Sequence, residues 1–170
     1  MKRYMNINRV LICIALIALL TVCGCAAFKP HKHGADDPIY DGEPIEITAF
    51  NFSHGGMSMD TIYTYSVEKG EDGVRLYAYM YAGNETFETD VPDSVLDELG
   101  KIAGKYNIVK WNGFKGSNRY VLDGDSFSIS LTLADGKQIS ASGNNRFPKG
   151  YYSASSEINE FFSNLIEQYR

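Results

Sequence analysis

Two aspartates, Asp123 and Asp125, are the best candidates for acid–base chemistry in this 170-residue chain. The sequence contains no GxSxG, SxxK or HExxH motif, the common signatures of serine nucleophiles and zinc proteases. His54 is the only histidine within the predicted folded domain, so general-base catalysis would fall to carboxylates. The triplet "DGD" that holds the two aspartates lacks the ligand spacing of a calcium loop. A tight, solvated turn before a strand is the favoured interpretation.

A second candidate is the loop "SGNNRFPKGYY", in which amide and guanidinium donors stand beside aromatic rings. Such a combination suits recognition of a sugar or a peptide. The candidate binding residues in this loop are Asn144, Asn145, Arg146, Phe147 and Tyr151. The competing interpretation is that Phe147 fills the core while Pro148 and Gly150 shape the turn into a last helix.

A third candidate is a set of tyrosines at odd-numbered positions in two predicted neighbouring strands. The set is Tyr63, Tyr65, Tyr77, Tyr79 and Tyr81. Residues two apart in a strand share a face, so a register that aligns the strands would create one aromatic surface, as at many protein interfaces. Tyr65, Tyr77 and Tyr79 are its candidate binding residues. The competing interpretation is that helices cover this face and the hydroxyls reach its rim.

The amino-terminal segment predicts where these surfaces are displayed. The basic leader "MKRYMNINR" is followed by the apolar run "VLICIALIALLTV", which together are typical of a secretory signal peptide. Cys23 and Cys25 follow the run directly, and no other cysteine lies beyond them. An exported domain without a cysteine pair must be held together by its own core.

The tetrapeptide "VCGC", which ends at Cys25, resembles the lipobox of bacterial lipoprotein signal peptides. The resemblance implies that diacylglycerol is attached to the Cys25 thiol and that a peptidase then cuts just before it. Gly24 fits the small residue before the cut, whereas Cys23 replaces the usual Ser, Thr or Ala. The alternatives are lipidation of Cys23 and an uncleaved signal anchor over residues 10–28. Lipidation and anchoring both leave residues 26–170 on the outer face of the cytoplasmic membrane and tethered to it.

Three segments follow from this interpretation: a signal peptide at 1–24, a lipidated cysteine with a flexible tether at 25–43, and a single domain at 44–170. Loss of the leader removes three of the 16 basic residues and none of the 21 acidic ones, leaving a formal net charge of −8. So acidic a chain is a poor partner for nucleic acid. No cofactor or metal is predicted, since "HKH" in the tether lacks a third ligand.

Apolar periodicity predicts the elements of the domain. "IEITAF", "DTIYTYSVEK", "GVRLYAYMY" and "ETFETDV" are typical of strands, and Ile45, Ile47 and Ala49 mark the buried face of the first. "DVPDSVLDELGKIAGKY" and "SASSEINEFFSNLIEQYR" predict amphipathic helices. Strands that pair locally, with single helices, indicate an α+β fold in which two helices pack on one face of an antiparallel sheet.

The segment "SFSISLTLADGKQISAS" predicts a hairpin with a specified register. A three-residue loop, Ala134 to Gly136, sets Ile139 opposite Leu131 and keeps the apolar residues on one face. A two-residue loop would mix the faces. The three-residue loop requires a positive φ at Gly136.

A longer stretch, with "WNGF", "LDGDSFS", "ADG" and "ASGNNRFP" in order, resembles a segment of uncharacterised Gram-positive, mainly clostridial, lipoproteins. The likeness covers about residues 85–168. It implies a lipoprotein in a Gram-positive envelope and adds no catalytic residue. The hypothesis is a non-enzymatic, lipid-anchored domain that binds an envelope protein or glycan; the alternative is a small envelope hydrolase that uses carboxylates such as Asp123 and Asp125.

Overall fold

The computed structural model describes residues 42–118, 120–121 and 123–170. They form a seven-stranded sheet in the order β4-β3-β2-β1-β6-β7-β5 and two α-helices, which confirms the predicted α+β class. Every pairing is antiparallel except that of β5 with β7. The elements are β1 Ile47–Gly55, β2 Tyr63–Lys69, β3 Val74–Met80, β4 Glu85–Val91, α1 Ser94–Lys105, β5 Lys115–Ser117, β6 Ser126–Leu133, β7 Gln138–Asn144 and α2 Tyr151–Tyr169.

The β6–β7 hairpin has the predicted register. Leu131 lies opposite Ile139 and Ile129 opposite Ala141, so all four apolar side chains share a face. The Leu133 amide donates to the Lys137 carbonyl at 2.9 Å, which closes a three-residue loop. Gly136 has φ 83°, the left-handed conformation that this loop requires and that glycine adopts without steric cost. The predicted loop is therefore confirmed.

The predicted buried face of β1 is wrong beyond its first residues. A register shift between Ile47 and Ala49 marks a β-bulge in the pairing with β6. Because the extra residue reverses the alternation, Phe50 and Phe52 point into the core, and Ala49 is only half-buried. Alternation continued from Ile45 could not anticipate this change of face.

The register of β2 and β3 also corrects the single tyrosine surface. Tyr65 lies opposite Ala78, whereas Tyr77 lies opposite Ser66 and Tyr79 opposite Thr64. Paired residues share a face, so Tyr65 points to one side of the sheet and the other two tyrosines point to the opposite side. The three candidate residues do not form one surface.

Both helices pack against one face of the sheet. Tyr65, 2% exposed, stacks on Phe162 of α2 at 4.4 Å, and its hydroxyl donates to Asn159 at 2.8 Å. Most of the apolar stripe predicted for this helix is buried, and its remaining members, Phe161 and Tyr169, are half-buried. At about 1.5–3 kcal/mol per large buried side chain, the stripe is a major source of stability.

The predicted signal peptide, the lipidated Cys25 and most of the predicted tether lie outside the described residues. Within the described ranges, neither helix combines the length and the apolar character needed to cross a membrane.

Candidate functional site

Two of the predicted loop residues, Arg146 and Phe147, line a pocket of about 320 Å³. The opposite wall comes from the segment that follows helix α1. We call this the aromatic–cationic pocket, because it combines four aromatic rings with three basic side chains. The rings belong to Tyr106, Trp111, Phe114 and Phe147, and the basic side chains to Lys110, Arg146 and Lys149.

The first wall is a short turn fixed by two buried side chains. After α1, Asn107 takes a left-handed conformation with φ 52° and begins a 3₁₀ turn, Ile108–Trp111. Ile108 and Trp111 are buried, so this turn is anchored in the core on one side. Lys110, between them in the chain, is exposed. The turn thus presents a cation beside the edge of a buried indole.

The wall continues along the edge of the sheet. The Gly113 amide donates to the Ser140 carbonyl at 2.8 Å, and the Ser142 amide donates to the Phe114 carbonyl at 3.0 Å. These bonds hold residues 113 and 114 against strand β7. Phe114 is half-buried and its ring centroid lies 6.3 Å from that of Phe127, which places an aromatic ring at the junction of the pocket and the core.

The second wall is the loop between β7 and α2. A Cβ atom built on Gly143 would lie 2.2 Å from the Arg146 carbonyl oxygen, and one on Gly116 would lie 2.3 Å from it. Only residues without a side chain allow the loop to cross β5 and β7 so closely. Phe147 then stacks on Tyr151 at 4.5 Å between ring centroids. Arg146 is left exposed at the rim.

The two asparagines of this loop are used for structure and do not line the pocket. Asn144 ends strand β7. Asn145 takes a left-handed conformation, and its side-chain nitrogen donates to Asn144 Oδ1 at 2.8 Å and to the Val121 carbonyl at 3.3 Å. Asn144 and Asn145 therefore do not line this pocket, whereas Arg146 and Phe147 do.

Tyr151 is misassigned as a surface residue. It is 1% exposed and packs between Phe127 and Phe147, because helix α2 begins at this residue and turns it into the core. Its hydroxyl is buried and has no hydrogen bond of acceptable geometry within the described residues. The Ser155 hydroxyl lies nearby and partly offsets the effect of burial on the pKa of Tyr151. Burial raises the pKa of Tyr151 well above its usual range. The ring of Tyr151 stacks on that of Phe147 from the core side.

A partly exposed ion pair between α1 and α2 holds the hydroxyl of Tyr106, whose ring lines the pocket. Lys105 Nζ and the Tyr106 hydroxyl both donate to the same carboxylate oxygen of Glu157, at 2.6 and 2.5 Å. Burial alone would raise the pKa of Glu157, but these two bonds outweigh it and the pKa is lowered. Tyr106 thus offers its ring to the pocket while its hydroxyl is held by α2.

The rim of the pocket is positively charged in a chain with a net negative charge. No acidic side chain lines it among the described residues, whereas Lys110, Arg146 and Lys149 all do. Arginine offers a planar fork of donors to carboxylate or phosphate, and aromatic walls favour flat apolar groups. The arrangement suits an anionic ligand that also carries an apolar or ring-shaped portion.

The carboxylates considered for catalysis lie elsewhere. Asp123 is exposed and Asp125 is half-buried. Over residues 42–170, apart from 119 and 122, no three His, Cys, Asp or Glu side chains gather in a way that could hold a metal ion. His54 lies near Asp125, and its Nδ1 is 3.1 Å from the Thr61 carbonyl. Burial lowers the pKa of His54, and Asp125 partly counteracts the shift.

Seven of the nine pocket residues were not among the predicted binding residues: Tyr106, Asn107, Lys110, Trp111, Phe114, Pro148 and Lys149. For Lys110, Trp111 and Phe114 the signal in the sequence is the tetrapeptide "WNGF", in which two aromatic residues flank a turn and a lysine precedes them. The two halves of the pocket are more than thirty positions apart in the chain, and only the pairing of residues 113–117 with β7 brings them together.

Comparison of the chain with protein-family models, with curated proteins and with solved structures finds no match.

Proposed function

We propose that this protein is a lipid-anchored, extracytoplasmic domain that binds an anionic cell-envelope partner, protein or glycan, through the aromatic–cationic pocket. Diacylglycerol on Cys25 attaches it to the outer face of the cytoplasmic membrane. The observation that carries the binding role is the union of three cations and four aromatic rings around one cavity of about 320 Å³. A role in binding needs no catalytic group, and the partner's negative charge is complementary to the rim.

The pocket is tested with the full-length lipoprotein in detergent and two envelope probes, purified wall teichoic acid and soluble muropeptides. Arg146→Gln combined with Lys149→Gln should weaken binding of the recognised probe by at least about 10-fold, since charge-assisted hydrogen bonds contribute about 1.5–3 kcal/mol each. Binding should also weaken as salt rises. The measurement is calorimetric titration at two ionic strengths.

Lys137→Gln is the matched control, because Lys137 is also exposed but lies next to the β6–β7 loop, outside the pocket. It should bind as the wild type does. Equal affinity of the Arg146/Lys149 variant and the wild type for both probes would reject the pocket as the binding site.

The membrane attachment has a separate test. When the protein is produced in its native host, Cys25→Ala should abolish metabolic labelling with an alkyne analogue of palmitate, because the thiol that accepts the lipid is lost. Cys23→Ala is the control and should keep the label. Label that persists on the Cys25→Ala protein would contradict lipidation at this residue.

A further inference from the structure

The sheet face that the helices leave uncovered carries two aligned rows of polar side chains. The strand registers place Tyr77, Ser66, Asn51, Ser130 and Ser140 side by side in one row across β3, β2, β1, β6 and β7. The adjacent row is Tyr79, Thr64, Ser53, Ser128 and Ser142. The two rows contain only hydroxyls and one amide, whereas charged side chains stand beside them: Glu88 is paired with Tyr77, and Arg75 with Glu68 forms the next row.

Most of these hydroxyls have no partner within the protein. Ser53 and Thr64 bond to each other at 2.9 Å. By contrast, the side chains of Asn51, Ser128, Ser130, Ser140 and Ser142 form no hydrogen bond to any other residue in the described part of the chain. Each hydroxyl can both donate and accept. The face is therefore a regular array of hydrogen-bonding groups that are free to bind something else.

The array is concave where β1, β6 and β7 meet. A depression of about 270 Å³ lies over the six members that β1, β6 and β7 contribute, and residues 113–115 line one side of it as a wall. Phe114 and Lys115 belong to that wall, and Lys115 lies beside Ser142 in the β5–β7 pairing. Polar groups that converge on a concavity are typical of a ligand site.

The geometry points to a linear β-linked polysaccharide as the ligand of this concavity, with its chain running across the strands. Neighbouring strands are about 4.8 Å apart, which is close to the advance per sugar of an extended β-linked glycan. One sugar would then meet one strand, and its hydroxyls would meet serine hydroxyls. Lys115 is the one charged side chain lining the depression, so the ligand is neutral or sparsely acidic. This proposal is independent of the anion-binding role proposed for the aromatic–cationic pocket, although Phe114 lines both cavities.

The test uses the full-length lipoprotein in a detergent without a sugar head group. Calorimetric titration with chitohexaose, a β-linked hexamer of N-acetylglucosamine, should show binding, and titration with α-linked maltohexaose should show none. Ser130→Glu with Ser140→Glu fills the depression with charge and bulk and should weaken chitohexaose binding by at least about 10-fold. Thr132→Glu with Gln138→Glu is the matched control, because this pair lies on the same two strands one row away and does not line the depression.

A second variant, Ser130→Ala with Ser140→Ala, removes only the hydroxyls and keeps the test valid if the glutamates impair folding. It should weaken binding several-fold. The proposal is overturned if chitohexaose does not bind the wild type, or if both serine variants bind it normally. It is also overturned if Arg146→Gln with Lys149→Gln abolishes the binding, because the sugar would then occupy the aromatic–cationic pocket.

Discussion

The two faces of the sheet come from the same strands but have opposite properties. The helix-covered face is built of side chains such as Phe50, Phe52 and Leu76 that are essentially inaccessible to solvent. The uncovered face carries serine, threonine and tyrosine side chains that largely have no partners within the protein. Close packing therefore restricts which residues the covered face can hold, whereas residues of the uncovered face can be replaced without loss of the fold. Binding chemistry is expected where stability makes the fewest demands.

The largest difference in stability should be between variants of Tyr65 and Tyr77, which lie on opposite faces of one hairpin. Tyr65→Ala should lower the free energy of unfolding by about 3–5 kcal/mol, because it removes a buried ring stacked on Phe162. Tyr77→Ala should cost less than about 1 kcal/mol, since the side chain is 39% exposed. Urea unfolding measures both. Equal losses would mean that the two faces do not differ as described.

An intermediate loss of stability should come from replacing Gly136, because its loop sets the register of β6 and β7 and so keeps their apolar side chains on one face. Gly136→Ala should cost about 1–2 kcal/mol in urea unfolding, because alanine is strained at φ 83°. An added Cβ would meet no atom within 4 Å, so the cost comes from the backbone alone.

Gly70→Ala is the control for this substitution. Gly70 lacks a positive φ, and its nearest contact to an added Cβ is 3.7 Å. Its replacement should leave stability unchanged or raise it by up to about 1 kcal/mol. A Gly136→Ala protein as stable as the Gly70→Ala protein would show that the left-handed loop does not hold the register.

The smallest effect should be a pH dependence due to His54, an imidazole on the otherwise apolar face. Its pKa in the folded protein lies below its ordinary value of 6.5 because of burial. The unfolded chain therefore takes up a proton first as the pH falls through 6.5, and stability declines until the folded pKa is passed. The loss should be small, because the ring is only half-buried and solvent screens its charge.

Urea unfolding at pH 7.5 and 5.5 measures this decline. His54→Gln should show a smaller decline over the same interval, because glutamine does not titrate. If wild type and variant lose equal stability, the dependence arises from other groups and His54 is not desolvated by the covered face.

The elements of this fold could be predicted where the pattern was local. The run Phe127, Ile129, Leu131 fixed both the face of β6 and the length of its loop, and the stripe around Phe162 predicted helix α2. The bulge near Ala49 reversed β1 without any glycine or proline to signal it. The prediction of a single tyrosine surface was wrong for a related reason. Alternation assigns a face within each strand, and only the register between two strands shows which of their faces coincide.

The candidate site was only half predictable. Arg146 and Phe147 stood out because a cation and an aromatic residue followed a turn, but Tyr151 looked the same in sequence and is buried. Whether Tyr151 is buried depends on where helix α2 begins. The partners Trp111 and Phe114 are brought in by backbone bonds between residues 113–117 and β7, a parallel edge pairing that leaves no pattern in the side chains.

Strand β1 has a mechanical consequence, because it is the first strand in the described part of the chain. It is paired with β2 on one side and with β6 on the other. A pull on the chain ahead of Gly42, directed along β1, would have to shear both ladders of hydrogen bonds together instead of opening them one at a time. A pull on Arg170 would meet only side-chain contacts of α2, including the Arg170–Glu85 and Lys105–Glu157 ion pairs, and these could break one after another. A domain held at a surface by its amino-terminal segment would thus take strain from a moving partner through a strand that is hydrogen-bonded on both sides.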